Sequence, residues 1–437
     1  MFDLSTNRTS VRTEVLAGIT TFLTMAYIVF VQPALLASAG MDFGAVLVAT
    51  CVSSGIATLL MAWFANYPIA VAPAMGHNFF FAYGVVIGMK VPWQIALGAV
   101  AVAGLIFILT AGVGLRERLI TAIPESLKHA IAVGIGLLIA FIGLQWAGVV
   151  SSNPGTLVSL GKLHQPPVLL AMFGFVVMAV LFAMRVKGAI LIGILAATLG
   201  GLAIGIVKYD GVVSAPPSIA PTLLQLDILG AFRPEMVPVI FVFFFLALFD
   251  SVGTLVGVAQ QAGFMRGDTL PRARGALLAD AVGTVVGAGL GTSTVTAYIE
   301  SSTGVAAGGR TGLANVVTAA LFFLAPLFYP LVKMIGGGYD AGGGVTLQPV
   351  IAPALVLVGT MMMRGVRHVD WDDATEAIPA FLTMIVMPLA VSITDGIAFG
   401  FISYALLKLV TGRGRAVHWL VYLFAILLLG RYVFLGN

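Results

Sequence analysis

Apolar stretches of about 20 residues recur from Val15 to Phe434, and each is long enough for a helix to cross a bilayer core of roughly 30 Å. In hydrocarbon every backbone N–H and C=O needs a partner inside the protein, so only helices and closed barrels span it. A barrel would read as alternating segments of about 10 residues. These Leu, Val, Ala and Gly blocks do not alternate. The expected fold is therefore an all-α polytopic membrane protein with about 14 or 15 apolar segments, judged by the length a crossing needs. Only 9% of residues are charged and mean hydropathy is +1.07, against about 25% charged residues in soluble domains.

The first apolar block is long, lacks a small-residue cleavage site and follows Arg8, Arg12 and Glu14, so the first helix is expected to be retained. Cys51 stands alone, which rules out an internal disulfide framework and a cysteine zinc site, and no cofactor or metal is expected. The net charge of +4 is not gathered on a soluble domain, so nucleic acid is not an expected partner. Instead Arg8 with Arg12, Arg116 with Arg118, Arg185 with Lys187, Arg266 with Arg272 and Arg274, and Arg364 with Arg367 fall in alternate loops. That bias places the N-terminus in the cytoplasm of a multi-pass inner-membrane protein.

Helices are expected near 14–39, 43–64, 77–88, 92–114, 124–148, 166–185 and 188–207, then near 236–261, 271–289, 300–307, 310–335, 347–363, 375–391 and 394–411. A further apolar stretch runs from Trp419 to Phe434. Segments 3 and 10 are short, and each follows an extended-looking run, Ile69 to Met75 and Thr292 to Ile299. The β-branched and aromatic alternation of the second run favours a strand. From Gly76 to Glu300 the offset is 300 − 76 = 224 residues, and the same offset carries Glu14 onto Pro238 at the start of the eighth helix. An odd-numbered repeat must invert in the membrane, so two inverted seven-segment halves follow, with the short strands pairing antiparallel at the midplane. Broken segments in matching positions point to a transporter's binding site, where half-helices aim backbone N–H groups at a ligand.

Ionisable groups within such segments are functional candidates. Asp250 ends the run Phe243-Phe244-Phe245-Leu246-Ala247-Leu248-Phe249, and Glu300 opens a half-helix, where a plain cap is the alternative. Asn78 is a candidate ligand contact or a partner for the broken backbone, and His77 a candidate specificity modifier or an interhelical donor. Phe79 offers a ring for stacking on a flat ligand. Gly76 and Gly304 allow close approach. Asp280 reads as structural, Arg310 as the end of segment 10, and Trp371-Asp372-Asp373 with Arg364 and Arg367 as a solvated turn.

The runs Gly18-Ile19-Thr20-Thr21-Phe22-Leu23-Thr24-Met25-Ala26-Tyr27, Ala72-Pro73-Ala74-Met75-Gly76, Phe249-Asp250-Ser251-Val252-Gly253-Thr254-Leu255, Gly291-Thr292-Ser293-Thr294, Glu300-Ser301, Gly308-Gly309-Arg310-Thr311-Gly312 and Gly396-Ile397-Ala398-Phe399-Gly400-Phe401-Ile402-Ser403-Tyr404 together resemble the nucleobase-cation symporter-2 superfamily, in its hypoxanthine/adenine/guanine permease branch. The resemblance implies a core domain of segments 1–4 (residues 1–122) and 8–11 (236–335). It implies a gate domain of segments 5–7 (123–235) and 12–14 (336–415), with a homodimer left open and residues 416–437 as an extra apolar segment. It implies purine recognition by Gly76, Asn78, Asp250 and Glu300. His77 and Phe79 depart from the Leu and Ala usual in the family.

The expected function is import of adenine, guanine or hypoxanthine by proton symport, sodium being less favoured, through an elevator-like movement of core against gate. A purine's ring edges would meet Glu300, Asp250 and Asn78, with Phe79, Ser301, Tyr298 and Thr254 around them. Carboxylates accept paired N–H donors and an amide both gives and receives. Asp250 is the favoured proton carrier, because the Phe run withdraws water and desolvation penalises a carboxyl's charged form, with Thr254 one turn on to orient it. Glu300 is the favoured purine anchor and the second proton-coupling candidate. Transport of xanthine, uracil or a small anion on the same fold, a channel and an intramembrane enzyme are the rivals. The last lacks a His-Glu-x-x-His pattern.

Overall fold

The computed structural model describes residues 2–112, 123–265, 269–342 and 344–434. Arg116, Arg118 and Arg266 of the charge pattern lie outside them. Among the described residues nine helices are long and apolar enough to cross a membrane, joined by shorter apolar helices and three two-stranded ribbons. The protein is thus mostly helical and crosses the membrane many times.

The first span is α1 (Val11–Met25) continued as α2 (Tyr27–Ala37), followed by α3 (Phe43–Phe64). Side chains start both hairpin arms: Ser10 accepts from the Thr13 N–H, and Asp42 accepts from Ala45 at 2.7 Å. Segment 3 is β1 (Val71–Pro73) and α4 (Met75–Phe79), which continues as a π-helix over Phe80–Gly88. Then come α5 (Trp93–Gly112), α6 (Glu125–Trp146), the ribbon β2 (Val150–Asn153) with β3 (Leu157–Leu160), α7 (Pro166–Ala183) and α8 (Ala189–Ala203). The second half opens with α9 (Val237–Ala262) and α10 (Ala273–Leu290). Segment 10 is β4 (Val295–Ala297) and α11 (Ser301–Ala306). After it run α12 (Gly312–Leu324), α13 (Tyr329–Gly336), α14 (Ala352–Met362), α15 (Ala374–Ala390), α16 (Ile393–Val410) and α17 (Trp419–Phe434).

Contacts sort the connections onto two faces. On the N-terminal face Glu14 accepts from the backbone N–H groups of Arg310 (2.9 Å) and Thr311 (3.3 Å), and Asn66 accepts from Gly312 (2.7 Å). Arg310 itself donates to the carbonyls of Val305 and Gly309, which closes the end of α11 as the sequence suggests. On the far face Asp227 N–H meets the Gln94 carbonyl at 2.9 Å and Gln348 N–H meets that of Trp146 at 2.8 Å.

The two broken segments cross between these faces. Strands β1 and β4 pair antiparallel, Val71 opposite Ala297, Ala72 opposite Thr296 and Pro73 opposite Val295, as the sequence predicts. Their pairing is shorter than the extended runs suggested. A two-stranded ribbon has two bare edges, which deep in a membrane protein require partners. Threonine supplies them. The Thr58 hydroxyl accepts from Val71 N–H at 3.0 Å and donates to Val71 C=O at 3.1 Å; the Thr284 hydroxyl does the same for Val295 at 3.2 and 2.9 Å. The two pairs are offset by 284 − 58 = 226 and 295 − 71 = 224 residues, so one device serves both strands. Asp280 accepts from Ala297 N–H at 3.3 Å, which bears out its structural reading. Gly291, at φ 103°, ends α10 and turns the chain into the extended run.

One expectation needs correction, and one segment the sequence leaves open finds its place. The 371–373 turn is not simply solvated: Asp373 caps α15 through Thr375 (2.9 Å) and meets Arg413 at 2.6 Å, while buried Lys408 lies 2.7 Å from Glu376. Charges of α15 and α16 thereby neutralise each other where two apolar helices leave the membrane. The final apolar stretch, which the sequence leaves open, is a helix packed on the rest of the fold. Helix α17 packs back along α16, with the Tyr422 hydroxyl on the Gly414 carbonyl (2.9 Å) at one end and the Tyr432 hydroxyl on Asp395 (2.6 Å) at the other. Phe424 meets Phe241 and Phe245 of α9 and Phe401 of α16, at 4.5, 6.4 and 5.9 Å between ring centroids.

Candidate functional site

Helix α9 is buried continuously from Val242 to Leu248, then opens. Asp250 and Gly253 are exposed, a Cβ on Gly253 would meet nothing within 4 Å, and Gln260 and Gln261 are exposed further along. Spaced three and four apart, Asp250, Gly253 and Gly257 share one helix face. That face is open where the rest of the helix is packed, and it carries Asp250 beside the strand crossing.

Glu300 stands at the N-cap of α11, half-buried, but its side chain makes no capping bond. Its Oε1 instead accepts from the Tyr27 hydroxyl at 2.8 Å. Thr303 holds the Glu300 carbonyl at 2.7 Å and meets Thr24 at 3.0 Å, fixing the turn to α1. Asp250 accepts from the Thr296 hydroxyl at 2.9 Å. This corrects the expectation for Thr254, which is buried and does not bond Asp250: the orienting hydroxyl comes from β4, across the site, and not from the next turn of the same helix. Each carboxylate is therefore positioned by a hydroxyl from another element. A Cβ on Gly76 would come within 2.9 Å of Ile135 Cγ2 on α6, so the start of α4 packs this closely on α6 only because it carries no side chain there.

The remaining candidates sit behind this surface. Asn78 is fully buried; its amide donates to Pro73 C=O at 3.3 Å and its oxygen accepts from Ser293. Tyr298 donates to the same Pro73 carbonyl at 2.5 Å. The Ser301 hydroxyl accepts from Ala70 N–H at 3.0 Å. All three satisfy the broken backbone. Gly304 packs on α1, where a Cβ would strike the Thr21 hydroxyl and the Ala17 carbonyl. His77 is buried with its Nε2 unpartnered among the described residues. Phe79 is fully buried and stacks on Tyr83 (centroids 6.1 Å apart, rings 13° from parallel), with Trp146 of α6 at 6.5 Å. Trp146 Nε1 donates to the Tyr83 hydroxyl at 2.8 Å. This aromatic block joins segment 3 to the end of α6.

Sequence reasoning missed Tyr27 and Thr296. Adding 224 to 27 gives 251, one residue from Asp250, so the repeat offset applied to the first motif would have found Tyr27. It also missed Lys128 of α6, whose ammonium lies 5.9 Å from the Phe249 ring. That charge is paired with Glu125 at 2.8 Å.

A many-span protein whose two broken segments pair through their strands beside two carboxylates is built as a membrane transporter. The model of the permease family Xan_ur_permease matches residues 12–399, and the chain belongs to that family. It is 45% identical to the adenine permease AdeP of Escherichia coli, over 100% of this chain and 96% of that one. It is 44% identical to the guanine/hypoxanthine permease PbuG of Bacillus subtilis, over 96% of each. A putative permease of Methanocaldococcus jannaschii is 51% identical over 100% of this chain and 98% of its own length. In fold it is similar to the transmembrane domain of the cyanobacterial bicarbonate transporter BicA, with a TM-score of 0.65 at 16% identity over 88% of this chain and 97% of that one. The murine Solute Carrier 26 family member A9 anion transporter gives 0.62 at 10% identity, over 92% and 68%.

Proposed function

We propose that this permease imports purine nucleobases, adenine, guanine or hypoxanthine, across the cytoplasmic membrane by proton symport. The observation that carries the reading is the pair Asp250 and Glu300, each held by one hydroxyl beside the strand crossing. The names of AdeP and PbuG, full-length relatives, supply the substrate class. Two carboxylates argue against an anion as cargo, whatever the fold's bicarbonate- and anion-transporting neighbours carry.

In this reading Glu300 anchors the N–H edge of the base, Asp250 exchanges the proton, and Gly76 offers bare backbone to the base at the start of α4. Asn78, Tyr298 and Ser301 hold the frame, as their hydrogen bonds support, and Phe79 belongs to the far-side closure. His77, beside Asn78, is the candidate for tuning substrate choice. Two inverted seven-segment halves form a core (1–122 and 236–335) that slides against a gate (123–235 and 336–415), and the equivalent threonine clamps support the inversion. The N-terminus lies in the cytoplasm, so the open face of α9 that follows Asp250 points inward. Opening outward then requires the Trp146–Tyr83 hydrogen bond between gate and core to break.

The test is uptake of radiolabelled adenine, guanine and hypoxanthine into proteoliposomes with and without an imposed pH gradient. Accumulation driven by outside acid and indifferent to sodium is expected. No saturable uptake of any of the three bases, at any gradient, would sink the reading. Tyr27→Phe removes a hydrogen bond to a carboxylate, worth about 1.5–3 kcal/mol, so apparent affinity should fall about 10-fold or more in the same assay. Trp146→Phe removes the far-side hydrogen bond but keeps a ring, and should raise labelling of a cysteine placed near Phe79 from the outer side. Unchanged labelling would disconnect this contact from the closure.

A further inference from the structure

A cavity of about 1380 Å³ opens at the far face, and neither Asp250 nor Glu300 lines it. It lies between the π-helix of segment 3, the start of α9, and helices α15, α16 and α17. It exceeds the roughly 300–1,000 Å³ typical of small-molecule pockets. Its charged groups gather with two hydroxyls at the mouth, Lys90 and Arg233 with Glu235, Asp395, Ser392 and Thr394. Lys90 and Arg233 are exposed and form no ion pair among the described residues. Lys90 is moreover held in left-handed backbone, φ 54°, a conformation that favours glycine or asparagine over lysine.

Below the mouth the wall turns apolar. Phe399, Leu406 and Leu429 line the cavity with large exposed surfaces, and only Ser403 interrupts them with a hydroxyl, which is bonded to the Phe399 carbonyl. From Asp395 to Leu406 is 11 residues of α16, so the groove descends about 16 Å at 1.5 Å per residue. That is about half of a roughly 30 Å hydrocarbon core, the depth of one leaflet.

We propose that this cavity is a binding site for one phospholipid whose headgroup carries both a phosphate and a primary ammonium. A mouth with two cations and two carboxylates is neutral overall, so it has little to offer a purely anionic headgroup. It does match a zwitterion, with phosphate on Lys90 and Arg233 and ammonium on Glu235 and Asp395. Asp395 already accepts from Tyr432, which fixes the carboxylate at the mouth and joins α17 to the site. The acyl chains lie along Phe399, Leu406 and Leu429. A quaternary ammonium cannot donate a hydrogen bond to the carboxylates, so choline should be a poor substitute.

The full chain, purified in detergent, is exposed to equimolar phosphatidylethanolamine, phosphatidylcholine and phosphatidylglycerol and examined by native mass spectrometry. Phosphatidylethanolamine should be retained about threefold to fivefold over the other two, the scale of a partly exposed charge pair. Lys90→Ala with Arg233→Ala should cut its retention about 30-fold, each cation near a membrane surface contributing about fivefold. Glu235→Gln should erase the preference over phosphatidylglycerol while leaving total lipid bound. Phosphatidylethanolamine with a photoactivatable acyl chain should crosslink to residues 399–406 in the unmodified protein, a readout independent of any variant's folding. Equal retention of the three lipids, or crosslinks spread over the other helices, would overturn the proposal. Uptake of purines is not the readout, so failure here leaves the transport reading standing.

Discussion

Proteoliposomes carrying Asp250→Asn are expected to exchange purine across the membrane but to lose accumulation driven by a pH gradient, whereas Glu300→Gln should lose both. Asparagine keeps the size of the side chain and an oxygen that still accepts from Thr296, so the local frame survives. An amide cannot take up or release a proton, so coupling fails while equilibrating exchange remains. Glu300→Gln instead replaces half of a carboxylate acceptor pair with a donor, which meets the base's N–H edge wrongly. Lost charge-assisted hydrogen bonds and an unpaired group each cost about 1.5–3 kcal/mol, so uptake should fall about 100-fold or more. Labelled-purine counterflow beside gradient-driven uptake separates the two. If Asp250→Asn accumulates purine against a gradient as well as the parent does, Asp250 is not the proton carrier.

The sequence exposes these two acids because an ionisable group in an apolar helix has few neutral explanations. It exposes the broken segments because proline and alternating β-branched residues stand where a spanning helix should continue. Their partners are another matter. Tyr27 and Thr296 lie 273 and 46 residues from the carboxylates they hold, and a hydroxyl in an apolar block more often bonds its own helix, as Thr110 and Thr198 do here. Asn78 carries the opposite lesson. A polar residue beside a break invites reading as a ligand contact, yet broken backbone needs polar partners of its own, and Asn78 is bonded to it and to Ser293. Hydropathy cannot place α17 either, since an apolar helix reads alike whether it lies in the interface or packs along α16. Its position follows from Phe424 and Tyr432, whose partners only the folded chain reveals.

Thr58→Val and Thr284→Val should each destabilise the protein strongly, and by similar amounts. Valine matches threonine in shape but offers no hydrogen bond, so each change strands one buried N–H and one buried C=O on the outer edge of a strand. At about 1–3 kcal/mol per unsatisfied group the loss is about 2–6 kcal/mol, among the larger effects of single substitutions. Serine retains the hydroxyl, so Thr58→Ser and Thr284→Ser should restore most of it. Thermal unfolding of the purified protein followed by tryptophan fluorescence measures the difference without reference to substrate. Similar losses at both positions are what an inverted repeat requires, because each threonine guards the one free edge of its own strand. A large loss at Thr58 with none at Thr284 would mean that α10, not a hydroxyl, holds β4, and the equivalence of the two halves would stop short of the site they share.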